Sequence, residues 1–154
     1  MEMHELLSQD GVIDGLKASS KKQALQDLAE RASALTDVNA REVLNTILAR
    51  EKLGTTGVGQ GIAIPHGRIG DLDRLHGLFA RLNKPVDFES LDDQPVDLVF
   101  MLLAPESAGA DHLKALAKVS RLLRDKSVVE KLRGSDGSDA MYALLTSNGP
   151  SNGN

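Results

Sequence analysis

Between Ser20 and Leu35 the apolar positions Leu25, Leu28, Ala29, Ala32 and Leu35 recur at helical spacing with polar residues between them. Ser20 and Gln23 stand three apart at the head of this run, the spacing of a capping box, so the pattern predicts a helix over 19–35. A second helix opens at Asn39, with Glu42 three residues on. It sets Val43, Leu44, Ile47 and Leu48 along one face and runs toward Arg50 and Glu51. Helical character stops at Gly54. "TTGVG" (55–59) and "GIAIP" (61–65) predict two short strands punctuated by glycine. Pro65 has no amide hydrogen for a ladder, which excludes continuation into a central strand position.

The pattern then changes period. "GLFARL" (77–82) alternates as a strand does, and "VDLVFMLLAP" (96–105) is an unbroken apolar run, expected of a strand buried on both faces. After the loop "ESAGA", helical spacing returns over 111–125, with Asp111 as the expected N-cap. Leu113, Leu116, Ala117, Ser120 and Leu123 are the expected inward residues. A short helix over 127–134 ends at Gly134, and a last one follows over 138–147. Helices on either side of a group of strands predict a single α/β layered domain with a mixed sheet, spanning 1–147. "NGPSNGN" (148–154) is expected to be a disordered polar tail.

Composition narrows the function. The 154 residues fit one domain, and the 41% hydrophobic content is enough for a core. Only 3% is aromatic, so that core is aliphatic and there is no stacking platform for single-stranded nucleic acid. A net charge of −4 offers no basic footprint for a phosphate backbone, so nucleic acid is not an expected partner. With no cysteine, disulfides, zinc ribbons and thiol catalysis are excluded. "MEMHELLSQDG" lacks the layout of a signal peptide. No apolar run nears the roughly 20 residues that span a bilayer, so a cytoplasmic chain without membrane insertion is expected.

One segment carries candidate chemistry. "GQGIAIPHG" (59–67) holds His66 directly behind a proline and between glycines. Imidazole titrates near about 6.5, so much of it is a free nucleophile at neutral pH. A phosphorylated imidazole is reactive enough to pass its phosphoryl group on, whereas a serine or threonine ester is too stable. Such transfer depends on positioning and on charge placed around the equatorial oxygens. Glycines permit close backbone approach, and Pro65 stiffens the residue before the ring. The glycines alone match neither a dinucleotide loop nor a P-loop, and no zinc-type histidine spacing exists, so no cofactor and no metal are expected. His4 and His76 are assigned as ordinary packed or surface histidines.

The longer stretch "AREKLGTTGVGQGIAIPHG", followed by "KPVDFESLDDQPVDLVFMLLAPESAGADHLKALAKVSRLL", resembles the type-2 enzyme IIA domains of the bacterial phosphoenolpyruvate-dependent phosphotransferase system. That class comprises fructose/mannitol domains and a nitrogen-related branch, which "GVGQGIAIPHG" and the stretch around Ser20 resemble more. The resemblance runs from about Leu6 to Thr146. It implies a mixed, about five-stranded sheet flanked by helices, with His66 accepting the phosphoryl group on Nε2 from a small HPr-like phosphocarrier. It further implies that Arg50 and His112 belong to the active site.

Read as residues, Arg50 can bridge phosphate oxygens with its planar fork or serve as an exposed helix-end cation. His112 stands at a helix start, where free N–H groups favour a phosphate, or is a solvated first-turn residue. Thr55 and Thr56 can bond the imidazole or phosphate, or simply serve the turn; Thr56 is taken as the phosphate-side candidate. Val58, Ile62 and Ile64 are the expected apolar rim for a docking carrier. A free-standing member of the nitrogen-related branch is expected to regulate partners such as potassium transporters or sensor kinases. The alternatives are a separate sugar enzyme IIA that feeds an enzyme IIB, and a binding module that is not phosphorylated.

Overall fold

The computed structural model describes residues 1–147; the polar tail expected over 148–154 lies outside the described residues. A short helix, α1 (Met3–Leu6), leads into β1 (Leu7–Leu16), and the apolar pattern predicted neither. In β1, Ser8, Gln9 and Asp10 are exposed, while Gly11, Val12 and Ile13 are all buried. Its pairing with β5 slips between Leu7 and Val12, so the period of two that marks a strand is lost there.

The next two helices follow the predicted pattern. α2 (Lys21–Thr36) starts at Ser20, whose side chain accepts from the Gln23 amide. Gln23 reaches back to the amide of Ser19 rather than Ser20, so the reciprocal half of the box sits one residue early. Leu35 of the expected inward set is exposed. α3 (Ala40–Lys52) is capped by the Asn39 side chain, which accepts from the amides of Arg41 and Glu42. Val43 and Ile47 are fully buried beneath it.

The strands that follow are β2 (Gly57–Gly59), β3 (Ile62–Ala63), β4 (His66–Ile69), β5 (His76–Val86) and β6 (Val96–Pro105). They form a six-stranded mixed sheet in the order β1-β5-β6-β3-β2, with β4 also pairing with β6. β5 lies antiparallel to β6, while β3 and β4 run parallel to it. β3 and β4 are laid end to end along one side of β6, at Leu98–Val99 and Leu102–Pro105 respectively. Pro65 therefore interrupts this line rather than ending it. The chain resumes as β4 at once, because the Pro65 carbonyl still accepts from the Leu102 amide at 2.9 Å and no amide hydrogen is needed at that point.

Three more helices complete the chain: α4 (Ala110–Arg124), α5 (Lys126–Arg133) and α6 (Ser138–Thr146). The sheet separates two apolar layers. One lies under α2 and α3 with Leu25, Leu28, Ile47, Met101 and Phe88, and the other lies under α1, α4, α5 and α6 with Phe79, Phe100, Leu132 and Met141. β6 feeds both layers, as its continuous apolar run predicts. α4 corrects the sequence reading in two ways. Its N-cap is Gly109, which places Asp111 in the first turn, and its buried residues are His112, Ala115, Val119 and Leu123. Leu113 is 67% exposed. The helical period holds, but its phase is shifted by one residue, which turns His112 inward.

Candidate active site

His66 is the first residue of β4, immediately after the Pro65 interruption, and is partly buried. Its Nδ1 lies 2.9 Å from the Ile64 carbonyl oxygen. A carbonyl can only accept, so the contact places the ring hydrogen on Nδ1 and leaves the Nε2 lone pair unprotonated. Burial holds the His66 pKa below the ordinary imidazole value, and the Arg50 guanidinium pushes the same way. The Ile64 carbonyl and the Glu51 carboxylate oppose them in part. At neutral pH the ring is therefore neutral, with its nucleophilic atom at Nε2.

The turn of α4 described above brings His112 to this ring. The two imidazole centroids are 5.9 Å apart with planes at 69°, nearly edge to face. His112 is only 7% exposed, and its Nε2 is buried with no hydrogen-bond partner among the described residues. A buried polar nitrogen left unpaired is costly, which distinguishes this atom from the paired polar groups around it. Burial, then the charge of Arg68, then His66 lower the His112 pKa. The α4 N-terminus has no side-chain cap, because Gly109 supplies none, and so keeps free amides and a positive dipole end.

Arg50 stands in the last turn of α3. Its Nη1 donates to the Gly54 carbonyl at 2.8 Å, which fixes the arm at the entry to the glycine-rich segment and leaves the rest of the fork uncommitted among the described residues. Thr56 is buried beside it, but its hydroxyl donates to the Glu51 carboxylate, and its amide donates to the other Glu51 oxygen at 3.1 Å. The Thr55 hydroxyl donates to the Phe88 carbonyl at 2.6 Å and accepts from the Gly57 amide at 3.0 Å. Both threonines thus hold the loop, and neither hydroxyl is committed to the imidazole.

A second segment, 87–94, braces this loop. The Leu91 amide donates to the Gly57 carbonyl, and the Asp92 carboxylate accepts from the Gln60 amide at 2.9 Å. A Cβ on Gly57 would collide with the Ser90 hydroxyl, so the close approach requires glycine. Of the expected docking rim, Val58 is 52% exposed, whereas Ile62 and Ile64 are buried in the core under α4.

Three charged residues of the site escaped the sequence reading. Glu51 and Lys21 form an ion pair at 2.8 Å behind the loop. Arg68, on β4 two residues past His66, donates to the Glu106 and Gly109 carbonyls at 3.2 and 3.3 Å and so ties β4 to the turn before α4. An i, i+2 relation on a strand puts two side chains on one face, a signal that could have flagged Arg68 once β4 was recognised. His76 stays with Asp73, 3.8 Å away, in a cleft that also includes His4 and Arg74. No cluster of three or more His, Asp or Glu suited to a metal occurs among the described residues.

His66, His76 and His112 all have folded-state pKa values below the ordinary one, each chiefly through burial. The unfolded chain therefore binds protons first as pH falls, and stability is lost from about pH 6.5 downward. Urea denaturation at pH 7.5 and 5.5 should give a lower midpoint at 5.5. His112→Gln should shrink that difference, and an undiminished difference would remove His112 from the account.

Residues 5–148 match the family model described as phosphoenolpyruvate-dependent sugar phosphotransferase system, EIIA 2. The chain belongs to this family, a phosphotransferase-system component with the mixed α/β fold described above. Within it, the similarity is to nitrogen regulatory proteins. The one from Bradyrhizobium diazoefficiens is 57% identical over 94% of this chain and 95% of its own length. The crystal structure of nitrogen regulatory protein IIA-Ntr from Neisseria meningitidis superposes with a TM-score of 0.89 at 35% identity, covering 94% of this chain and 99% of that one. Enzyme IIAMtl of Escherichia coli, solved in complex with phosphorylated enzyme IIBMtl, gives 0.77 at 26% identity over 91% and 98%. No helix among the described residues is long and apolar enough to cross a membrane.

Proposed function

We propose that this chain is a phosphohistidine carrier of the nitrogen-related phosphotransferase branch. It takes a phosphoryl group from an HPr-like protein on His66 Nε2 and regulates partners by its phosphorylation state. The observation that carries the reading is the Nδ1–H bond to the Ile64 carbonyl, which leaves Nε2 as the attacking atom beside the unpartnered His112. In the transfer, the Nε2 lone pair forms the new N–P bond as the bond from phosphorus to the donor's imidazole breaks. The donor ring keeps the electron pair. The His66 ring, still holding its Nδ1 hydrogen, gains positive charge, which the Ile64 carbonyl stabilises. Arg50, the His112 nitrogen and the free amides of α4 are the groups available to the equatorial oxygens.

Direct transfer brings two imidazoles to one phosphorus, so the carrier must dock over His66. Val58 and Leu113, both exposed and adjoining the loop and His112, are the apolar residues for that rim. Potassium transporters and sensor kinases are the proposed classes of regulated partner. The test is incubation with phosphoenolpyruvate, enzyme I and either a nitrogen-branch or a sugar-branch HPr. Faster acid-labile labelling from the nitrogen-branch carrier is expected. Preference for the sugar-branch carrier, with onward transfer to an enzyme IIB, would make the chain a sugar component, and no label at all would leave a binding module.

A further inference from the structure

The glycine-rich loop rests on a buried charge that the transfer chemistry above does not use. Glu51, the residue after Arg50, has a side chain only 5% exposed and paired with Lys21 from the start of α2. Its two oxygens accept from the amide and the hydroxyl of Thr56. The Thr56 carbonyl in turn accepts from the Ile64 amide at 3.0 Å, and the Ile64 carbonyl accepts from His66 Nδ1. Lys21, Glu51, Thr56, Ile64 and His66 thus form one unbroken polar chain from the start of α2 to the ring.

From this chain we infer that Glu51 is a positioning residue for phosphoryl transfer, fixing through Thr56 and Ile64 the His66 tautomer that bares Nε2. The inference rests on His66 being the phosphoryl acceptor. A buried ion pair is a weak source of net stability, so conformational definition is what this one supplies. Ile64 is where that definition is needed. Its carbonyl belongs to the bond to Pro65, directly before the nucleophile, and a shift there releases Nδ1. Without that acceptor the ring hydrogen divides between the two nitrogens, and the fraction carrying it on Nε2 cannot attack phosphorus. Glu51 also places negative charge near the ring that becomes positive during transfer.

The full chain labelled with ¹⁵N-histidine reports the tautomer of His66 directly, and the wild type should show hydrogen on Nδ1. Thr56→Val removes the hydroxyl but keeps the shape, and Glu51→Gln removes the charge. Both should move His66 toward the Nε2–H form and slow transfer from HPr by roughly tenfold or more, the size seen when the partners that orient a metal-ligating imidazole are removed. Thr56→Ser should restore both readouts. His112 resonances should stay in place. If Glu51→Gln does not fold, Thr56→Val decides. An unchanged His66 tautomer in the folded variants overturns the inference, whatever the rate. Absence of transfer in the wild type would instead fail the carrier assignment, with the tautomer measurement still readable.

Discussion

His66→Ala will take up no phosphoryl group from a phosphorylated HPr-like carrier, while the wild-type label will vanish in mild acid and survive base. That lability is the reverse of a serine ester's and follows from the phosphoramidate bond at an imidazole. The substitution should leave the fold intact, because the ring is only partly buried and its single hydrogen bond is to the adjacent backbone. His112 remains in the variant as an internal control. Its Nε2 is equally an imidazole nitrogen, so acid-labile label on His66→Ala would move the acceptor to one of the three remaining histidines, His112 the nearest, and refute the assignment. The expected discrimination between the two rings is geometric: His66 starts a strand beyond Pro65 and is only partly buried, whereas His112 is buried on the inward face of α4.

Arg50→Ala should slow transfer on the order of 10²- to 10³-fold, the loss that follows removal of one preorganised donor to developing charge. Arg50→Lys should recover only part of it, since an ammonium keeps the charge but not the planar fork. Stability should change little. The fold gives up one hydrogen bond, from the guanidinium to the Gly54 carbonyl at the loop entry, worth about 1 kcal/mol. Single-turnover transfer from labelled carrier, paired with thermal melting of each variant, separates the two roles. Normal transfer with a large drop in melting temperature would make Arg50 a loop anchor and nothing more.

The helices were legible because their apolar faces repeat without interruption. α2 and α3 bury the side their spacing predicts, Leu35 excepted, and α5 and α6 lie where their spans were expected. β6 was legible for the opposite reason, as an apolar run with no polar face at all. β1 was not, because its slip against β5 puts three exposed residues in a row. β4 was hidden by Pro65, which breaks local pairing without changing the direction of the chain. At the candidate site, the His66 segment stood out through its glycines and proline. Its supports did not, because contacts such as Glu51 to Lys21 and Thr55 to Phe88 join residues about thirty apart in sequence and are set by packing. The phase error in α4 shows the same limit: Leu113 looked like core, but the helix buries His112 instead.

The interruption at Pro65 also bears on what the molecule avoids. Among the described residues, β2 and β4 form one margin of the sheet, in pieces of three and four residues, opposite the ten-residue edge strand β1. Pieces that short are poor templates for a ladder with another chain, and the proline keeps this margin from forming a longer one. Another chain meeting this margin is thereby kept from joining as an extra strand. On the proposed function, recognition would fall to side chains such as Val58, Arg50 and Leu113 instead of to backbone pairing. The broken edge thus disfavours growth of the sheet on the side where His66 lies.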